Sequence, residues 1–169
     1  LLGLLEQNWV VADLGVGTGA LSEILAPFVR HVKAIDRSQQ MLLAAARRLD
    51  GVPNVELRQG ELEDLPIEDA SLDVAVLALV LHYVVDPPKV ISEVIRSLRP
   101  GGRIVLVDMR LHDRSSTYGQ DMGHVWPGFE MDRIKAWLID GGFDHVRLVP
   151  LPPDADAKGP LLFLASAKK

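Results

Sequence analysis

The sequence predicts an α/β domain on a doubly wound sheet, mostly parallel and seven-stranded, with one antiparallel strand near the C-terminus. Three observations carry this. Short apolar segments alternate with helical repeats, the order of a layered α/β domain. The segments are nearly continuously apolar, as strands covered on both faces are. The last two candidate strands are joined only by the proline-rich "PLPPDADAKGP", which suits antiparallel neighbours rather than another right-handed crossover.

Strands are expected over residues 9–14, 32–36, 55–58, 72–78, 103–109, 143–149 and 161–167, each rich in Val, Ile and Leu. Between the first two, Leu21, Ile24, Leu25 and Phe28 repeat at i, i+3, i+4 and i+7, one stripe of a helix. Ser38 can cap a second helix striped by Leu42, Ala45, Ala46 and Leu49; its Arg47–Arg48 pair reads as a solvated face. Asp86 followed by Pro87 and Pro88 is a helix start, because proline is tolerated in the first turn. Val90, Ile91, Val94, Ile95 and Leu98 form that helix's buried stripe, and "RPGG" at 99–102 stops it. Asp132 opens a further helix carrying Ile134, Trp137 and Leu138, closed by Gly141 and Gly142.

At 169 residues the chain fits one domain able to bury a core, with 48% hydrophobic and 24% charged residues. A net charge of −5 without a basic run gives no support for nucleic-acid binding by this segment. There is no cysteine, hence no disulfide, thiolate metal site or thiol nucleophile. The longest apolar run, residues 74–81, suits a buried strand and is too short to cross a bilayer. No signal-peptide pattern appears, so a cytoplasmic location is the default expectation. The chain opens on Leu1 only 14 residues ahead of a glycine cluster, and reads like the later part of a longer chain.

That cluster is "ADLGVGTGAL" at 12–21. Gly15, Gly17 and Gly19 give G-x-G-x-G, while Gly15, Gly17 and Ala20 also satisfy the looser dinucleotide pattern. Glycine there permits positive φ in a tight strand-to-helix turn and lets a ligand reach backbone N–H groups. Asp36, closing the second strand, can accept from both hydroxyls of a ribose. These features support any adenosine cofactor. Asp13 ahead of the first glycine argues against a pyrophosphate, and Glu61 after the third strand can accept from an adenine amino group.

Together "VVADLGVGTG", "VKAIDRSQQMLLAAARR", "VELRQGELEDLPIEDASLDVAVLALVLHYVVDP" and "SLRPGGRIVLVD" resemble the class I S-adenosylmethionine-dependent methyltransferases, of Rossmann-like fold, over residues 9–109. "LHYVVDP" and "GFEMDRIKAWLIDGGF" are similar to the type 11, quinone-biosynthesis-like members. Among these they resemble most the methyltransferase domains that follow an ArsR-type winged-helix regulator domain, which would bind DNA upstream of Leu1. The resemblance implies S-adenosylmethionine as cofactor, with Asp13, Gly15, Gly17 and Gly19 holding the methionine part. Asp36 would bind the ribose, with Arg37 and Met41 beside the adenosine. Gly60, Glu61 and Leu62 would flank the adenine, and Ala78 and Leu79 would line the pocket. Glu61 stands where Asp is commoner in the family, and Val16 where many members have Cys or another small residue. The family's arsenite enzymes hold the metalloid through cysteine, so that substrate is not expected here.

Methyl transfer from a sulfonium is an in-line displacement, so alignment and water exclusion matter most, and a base only where the acceptor must lose a proton. His82 and His112 are the candidate bases. The long connection 110–129, with His112, Asp113, Tyr118, His124 and Trp126, reads as a substrate-side lid. His112, Asp113 and His124 have no ligand spacing with its own logic, so no metal is expected. The expected activity is methyl transfer to a small-molecule O-, C- or N-nucleophile. The alternatives are a cofactor- or metabolite-binding sensor domain of a transcriptional regulator and, on the looser glycine pattern, an NAD(P)-dependent oxidoreductase.

Overall fold

A computed structural model describes residues 5–112, 123–153 and 159–169. In chain order the elements are β1 (Val10–Leu14), α1 (Ala20–Leu25), β2 (His31–Asp36), α2 (Gln39–Arg48), β3 (Val55–Gln59), β4 (Leu72–Ala78), α3 (Pro87–Ser97), β5 (Leu98–Met109), α4 (Met131–Asp140), β6 (Asp144–Pro150) and β7 (Leu162–Lys168). The strands form one sheet in the order β3-β2-β1-β4-β5-β7-β6. Every pairing is parallel except those of β7, which runs antiparallel to both β5 and β6. The predicted fold class is therefore the observed one.

Alternation along the central strands sends successive side chains to opposite layers. Ala12, Leu14, Ala75 and Leu77 pack with α3 and α4 residues such as Val90, Val94, Ile134 and Leu138. Val11, Val32, Ala34 and Val74 pack with Leu25, Ala26 and Val29 on the other face. Strands covered on both sides are apolar throughout, which made them legible.

The helices depart from expectation in instructive ways. α1 runs only six residues before Ala26–Phe28 tightens into a 3-10 turn. Of its predicted stripe Leu25 is buried, whereas Ile24 and Phe28 are exposed and the second buried residue is Ser22. In α2, Ala45 and Leu49 are buried but Ala46 is exposed. Ser38 caps it as expected, accepting from Met41 N at 3.3 Å. Arg48 is not merely solvated, since Nε donates to Thr18 O at 3.0 Å and ties α2 to the glycine turn. Asp86 caps α3, and Val90, Ile91, Val94 and Leu98 are buried as predicted. α4 begins at Met131, with Glu130 rather than Asp132 outside it.

"RPGG" ends α3 but lies inside a strand rather than ahead of one. β5 already pairs Leu98 with Leu72, and Arg99–Gly102 bulge out before Arg103 pairs with Val74. Gly101 takes φ +82 in this bulge.

The β3–β4 crossover contains no helix. Segment 60–71 is held instead by two α3 side chains. Arg96 donates to Leu65 O at 3.1 Å, Ile67 O at 2.9 Å and Glu93 Oε2 at 2.7 Å, while Glu93 accepts from Leu65 N at 2.9 Å. Leu62, Leu65 and Ile67 are thereby seated in the core. Arg96→Met removes the donors while keeping the apolar stem. It is expected to cost about 2 kcal/mol through the stranded carbonyls, read by urea unfolding, and to increase protease cleavage within 60–71.

Candidate functional site

The strand order reverses between β1 and β4, so their carboxyl ends diverge into a crevice, the place where doubly wound sheets bind ligands. A cleft of about 300 Å³ opens there. Gly15 and Gly17 line it from the turn after β1, Asp36, Arg37 and Met41 from the β2 exit and α2, and Glu61, Leu62 and Glu63 from the β3 exit. Leu79, Val80, Tyr83 and Val84 complete it from the β4 exit.

The three glycines serve three different needs. Gly15 (φ +81) lies against the β4 exit, where a Cβ would stand 2.7 Å from Val80 Cβ. Gly17 (φ +52) has open space where a side chain would go, on the cleft side of the turn. Gly19 (φ +83) does not line the cleft; its Cβ would meet Leu49 Cδ1 at 3.0 Å and Ala45 Cβ at 3.2 Å, so its role is to let α1 pack on α2. Backbone bonds from Gly15 N and Val16 N to Ile35 O, at 2.8 and 2.9 Å, set the turn against β2.

Asp36 faces this turn with both carboxylate oxygens engaged. Oδ2 accepts from Gly17 N at 2.9 Å and Oδ1 from Ser38 N at 2.8 Å. Each oxygen retains a second lone pair, so the carboxylate is oriented and still able to accept from a ligand. Leu79, the last cleft residue before the β4 exit turns, holds φ +55, a strained conformation for a branched side chain.

Four of the residues assigned to the cofactor by resemblance do not line the cleft. Gly19 packs helices as described, and Gly60 lies against Pro66, whose Cδ would be 2.6 Å from its Cβ. Ala78 is half-buried within β4. Asp13 lies on the α1 face of β1, where Ser22 Oγ donates to Oδ2 at 2.6 Å. Burial pushes its carboxyl up to about 6, opposed by the Ser22 bonds and reinforced slightly by the charge of Asp36.

The candidate bases occupy a neighbouring layer. His82 is buried on the 3-10 turn Leu81–Tyr83, its Nδ1 2.7 Å from Asp108 Oδ1 in β5. His112 follows β5 and donates its backbone N–H to Pro127 O at 3.1 Å. His124 packs its ring edge-on against His82, 4.6 Å between centroids, and feels the charges of His82 and His112. Asp113 and Tyr118 lie outside the described residues. Asp108 was not singled out in the sequence, although an acid inside the apolar run "IVLVDM" signals a buried partner. Val80, Val84 and Glu63 carry no such signal, being ordinary loop residues until the fold places them.

A cleft at the switch point, walled by a glycine turn and an oriented carboxylate, lies where doubly wound α/β domains bind nucleotides and nucleosides. A family profile described as a methyltransferase domain matches residues 12–106, more than half of the chain, which belongs to that family. The chain is 42% identical over 98 residues to a demethylmenaquinone methyltransferase of Clavibacter sepedonicus, covering 58% of this chain and 40% of that one. It is 37% identical over 163 residues to the Paenarthrobacter aurescens protein of the same name, covering 80% and 62%. An arsenite methyltransferase of Halobacterium salinarum is 29% identical over 153 residues, covering 83% and 38%. The chain thus spans between 38% and 62% of the length of these relatives. Among solved structures, an S-adenosylmethionine-dependent methyltransferase from Aquifex aeolicus superposes with a TM-score of 0.79 at 24% identity, covering 99% and 85%.

Gly15→Ala should lose about 3 kcal/mol, since the methyl group meets Val80 and the backbone is left-handed. Gly17→Ala should lose only about 1 kcal/mol; parallel denaturant titrations separate the two. For Asp13, the folded protein binds the proton more tightly than the unfolded chain, whose value is near 3.8. Its contribution is therefore present below pH 4 and lost as pH rises through 6. Asp13→Asn keeps an acceptor for Ser22, so its stability relative to the parent should rise by up to about 3 kcal/mol between pH 4 and 7.5, measured by urea unfolding at both.

Proposed function

We propose that this domain binds S-adenosylmethionine in the β1–β4 cleft and transfers its methyl group to a small-molecule O-, C- or N-nucleophile. The observation that carries the reading is the Asp36 carboxylate, fixed by two backbone N–H groups beside Gly17, where the turn is open on its cleft side. A rigid carboxylate that keeps a lone pair on each oxygen, beside a turn with no side chain in the way, fits a ribose diol. Bound there, the cofactor supplies a methyl group on a sulfonium, transferred without the bonding electron pair, which stays on sulfur.

The chain's own residues do the rest. Asp36 takes the ribose hydroxyls, with Arg37 at the same rim, and Glu61 accepts from the adenine amino group. Met41 and Leu62 provide apolar surface for the base. Above pH 6 the Asp13 carboxylate adds negative charge behind the glycine turn, favourable to the cationic methionyl part. Leu79, Val80 and Val84 keep water from the wall of the cleft. The demethylmenaquinone relatives support an aromatic acceptor, and the absence of any cysteine leaves no thiolate for arsenite.

Calorimetric titration tests this directly. S-adenosylmethionine and S-adenosylhomocysteine are expected to bind and NADH not to. Asp36→Asn should weaken both adenosyl ligands about tenfold, equivalent to one charged hydrogen bond. Binding of NADH alone, or unchanged affinity in Asp36→Asn, overturns the reading.

A further inference from the structure

Beside the cleft stands a group of side chains that cofactor binding leaves unused. Asp108, wholly buried, accepts from Leu81 N at 2.9 Å, Met109 N at 2.7 Å and His82 Nδ1 at 2.7 Å. Opposite a carboxylate, Nδ1 is the nitrogen that carries hydrogen, and Nε2 keeps its lone pair. The His82 ring lies 4.2 Å from that of Tyr83, which lines the cleft, and 4.6 Å from the edge-on ring of His124. His124 in turn meets Tyr83 at 5.0 Å.

Backbone bonds hold this arrangement. Val125 N and Trp126 N both donate to His82 O, at 2.9 and 3.1 Å, and Trp126 Nε1 donates to Val84 O at 2.8 Å. His124 Nδ1 is buried and has no hydrogen-bond partner among the described residues. A buried polar atom in that state costs about 1–3 kcal/mol, which a ligand's polar group would recover. Burial holds His124 below the ordinary histidine range, His82 and His112 add to this, and Asp108 pulls the other way. The imidazole is thus neutral near pH 7 and free to donate or accept.

We propose that His82, oriented by Asp108, is the general base for the methyl acceptor, that His124 Nδ1 hydrogen-bonds it, and that the acceptor is consequently a phenol or enol. This rests on the methyl-transfer reading above. Such acceptors are poor nucleophiles until deprotonated, unlike thioethers or free amines, and so give a base a purpose. In the step, the acceptor's O–H bond breaks, its electron pair stays on the acceptor as nucleophile, and the proton passes to His82 Nε2. Asp108 keeps the Nδ1 hydrogen throughout and acts as a positioning residue.

The test reads ionisation rather than turnover. 4-Nitrophenol, whose anion is coloured, is titrated with pH on the chain saturated with S-adenosylhomocysteine. Its ionisation midpoint is expected to fall by about one pH unit on binding, and His82→Gln and Asp108→Asn should abolish the fall. His124→Gln, changed at a half-buried ring, should weaken 4-nitrophenol about tenfold. S-adenosylhomocysteine affinity should stay within about twofold in His82→Gln and His124→Gln, which also shows that each has folded. The same midpoint in parent and His82→Gln, or no binding of 4-nitrophenol or of enolic acetylacetone, overturns the proposal. Failure of the methyl-transfer reading is distinct, showing as no S-adenosylhomocysteine binding by the parent chain, and takes this inference with it.

Discussion

The approach of Val80 to Gly15 sets the geometry from which the site follows. β1 and β4 are paired neighbours as far as Leu14 and Leu77, so the turns leaving them must pass one another at close range. A side chain at residue 15 would drive the β4 exit outward, and with it Leu79, Tyr83 and His82. Because that side chain is missing, two loops from opposite halves of the sheet share one wall. The strand reversal creates the crevice, and the glycine keeps it narrow.

Three buried aspartates then lock the strand ends to what surrounds them. Asp73 accepts from Val10 N at 2.7 Å and pairs with Arg99 at 2.8 Å, fixing the entry of β1 beside the β5 bulge. Asp13 holds α1 through Ser22, and Asp108 holds the β4 exit through Leu81 N and His82. Burying carboxylates is unfavourable unless donors satisfy them. Each here reaches across to a different element, so the cost is offset where it defines a connection. Asp13 draws its donors from Ser22 alone, and burial pushes its carboxyl up to about 6.

How far the sequence foretold this depends on the range of the interaction concerned. The strands, the Ser38 and Asp86 caps and the α3 stripe are local patterns and were readable. The α1 stripe was not, because Ile24 and Phe28 have the right spacing but the helix ends at Leu25, two residues ahead of Pro27, and Ser22 faces inward to meet Asp13. "RPGG" looked like a stop because its glycine and proline are the same residues that a bulge requires. In the site, Asp36 could be placed because it closes the second strand and Glu61 because it follows the third, whereas Leu62 came only with the family resemblance. Gly19 could not be told from Gly15 and Gly17, since what separates them is which non-local neighbour comes close: α2, Val80 or open cleft. Asp108 and His82 are 26 residues apart and meet only because β4 and β5 pair.

The two halves of the site are built on different principles, with a consequence for what can vary. On the β1–β3 side the cleft is walled by a glycine turn, whose N–H groups are bonded within the protein, and by one carboxylate pinned by main-chain donors, so few substitutions leave the surface intact. On the β4–β5 side the surface is made of side chains, Tyr83, His82 and His124, standing on a 3-10 turn whose backbone is fixed by Asp108 and by bonds to His82 O. Exchanging those side chains alters shape and proton affinity without disturbing the glycine turn. The glycine-turn half of the cleft therefore resists change, while the half made of side chains is free to vary in shape and chemistry.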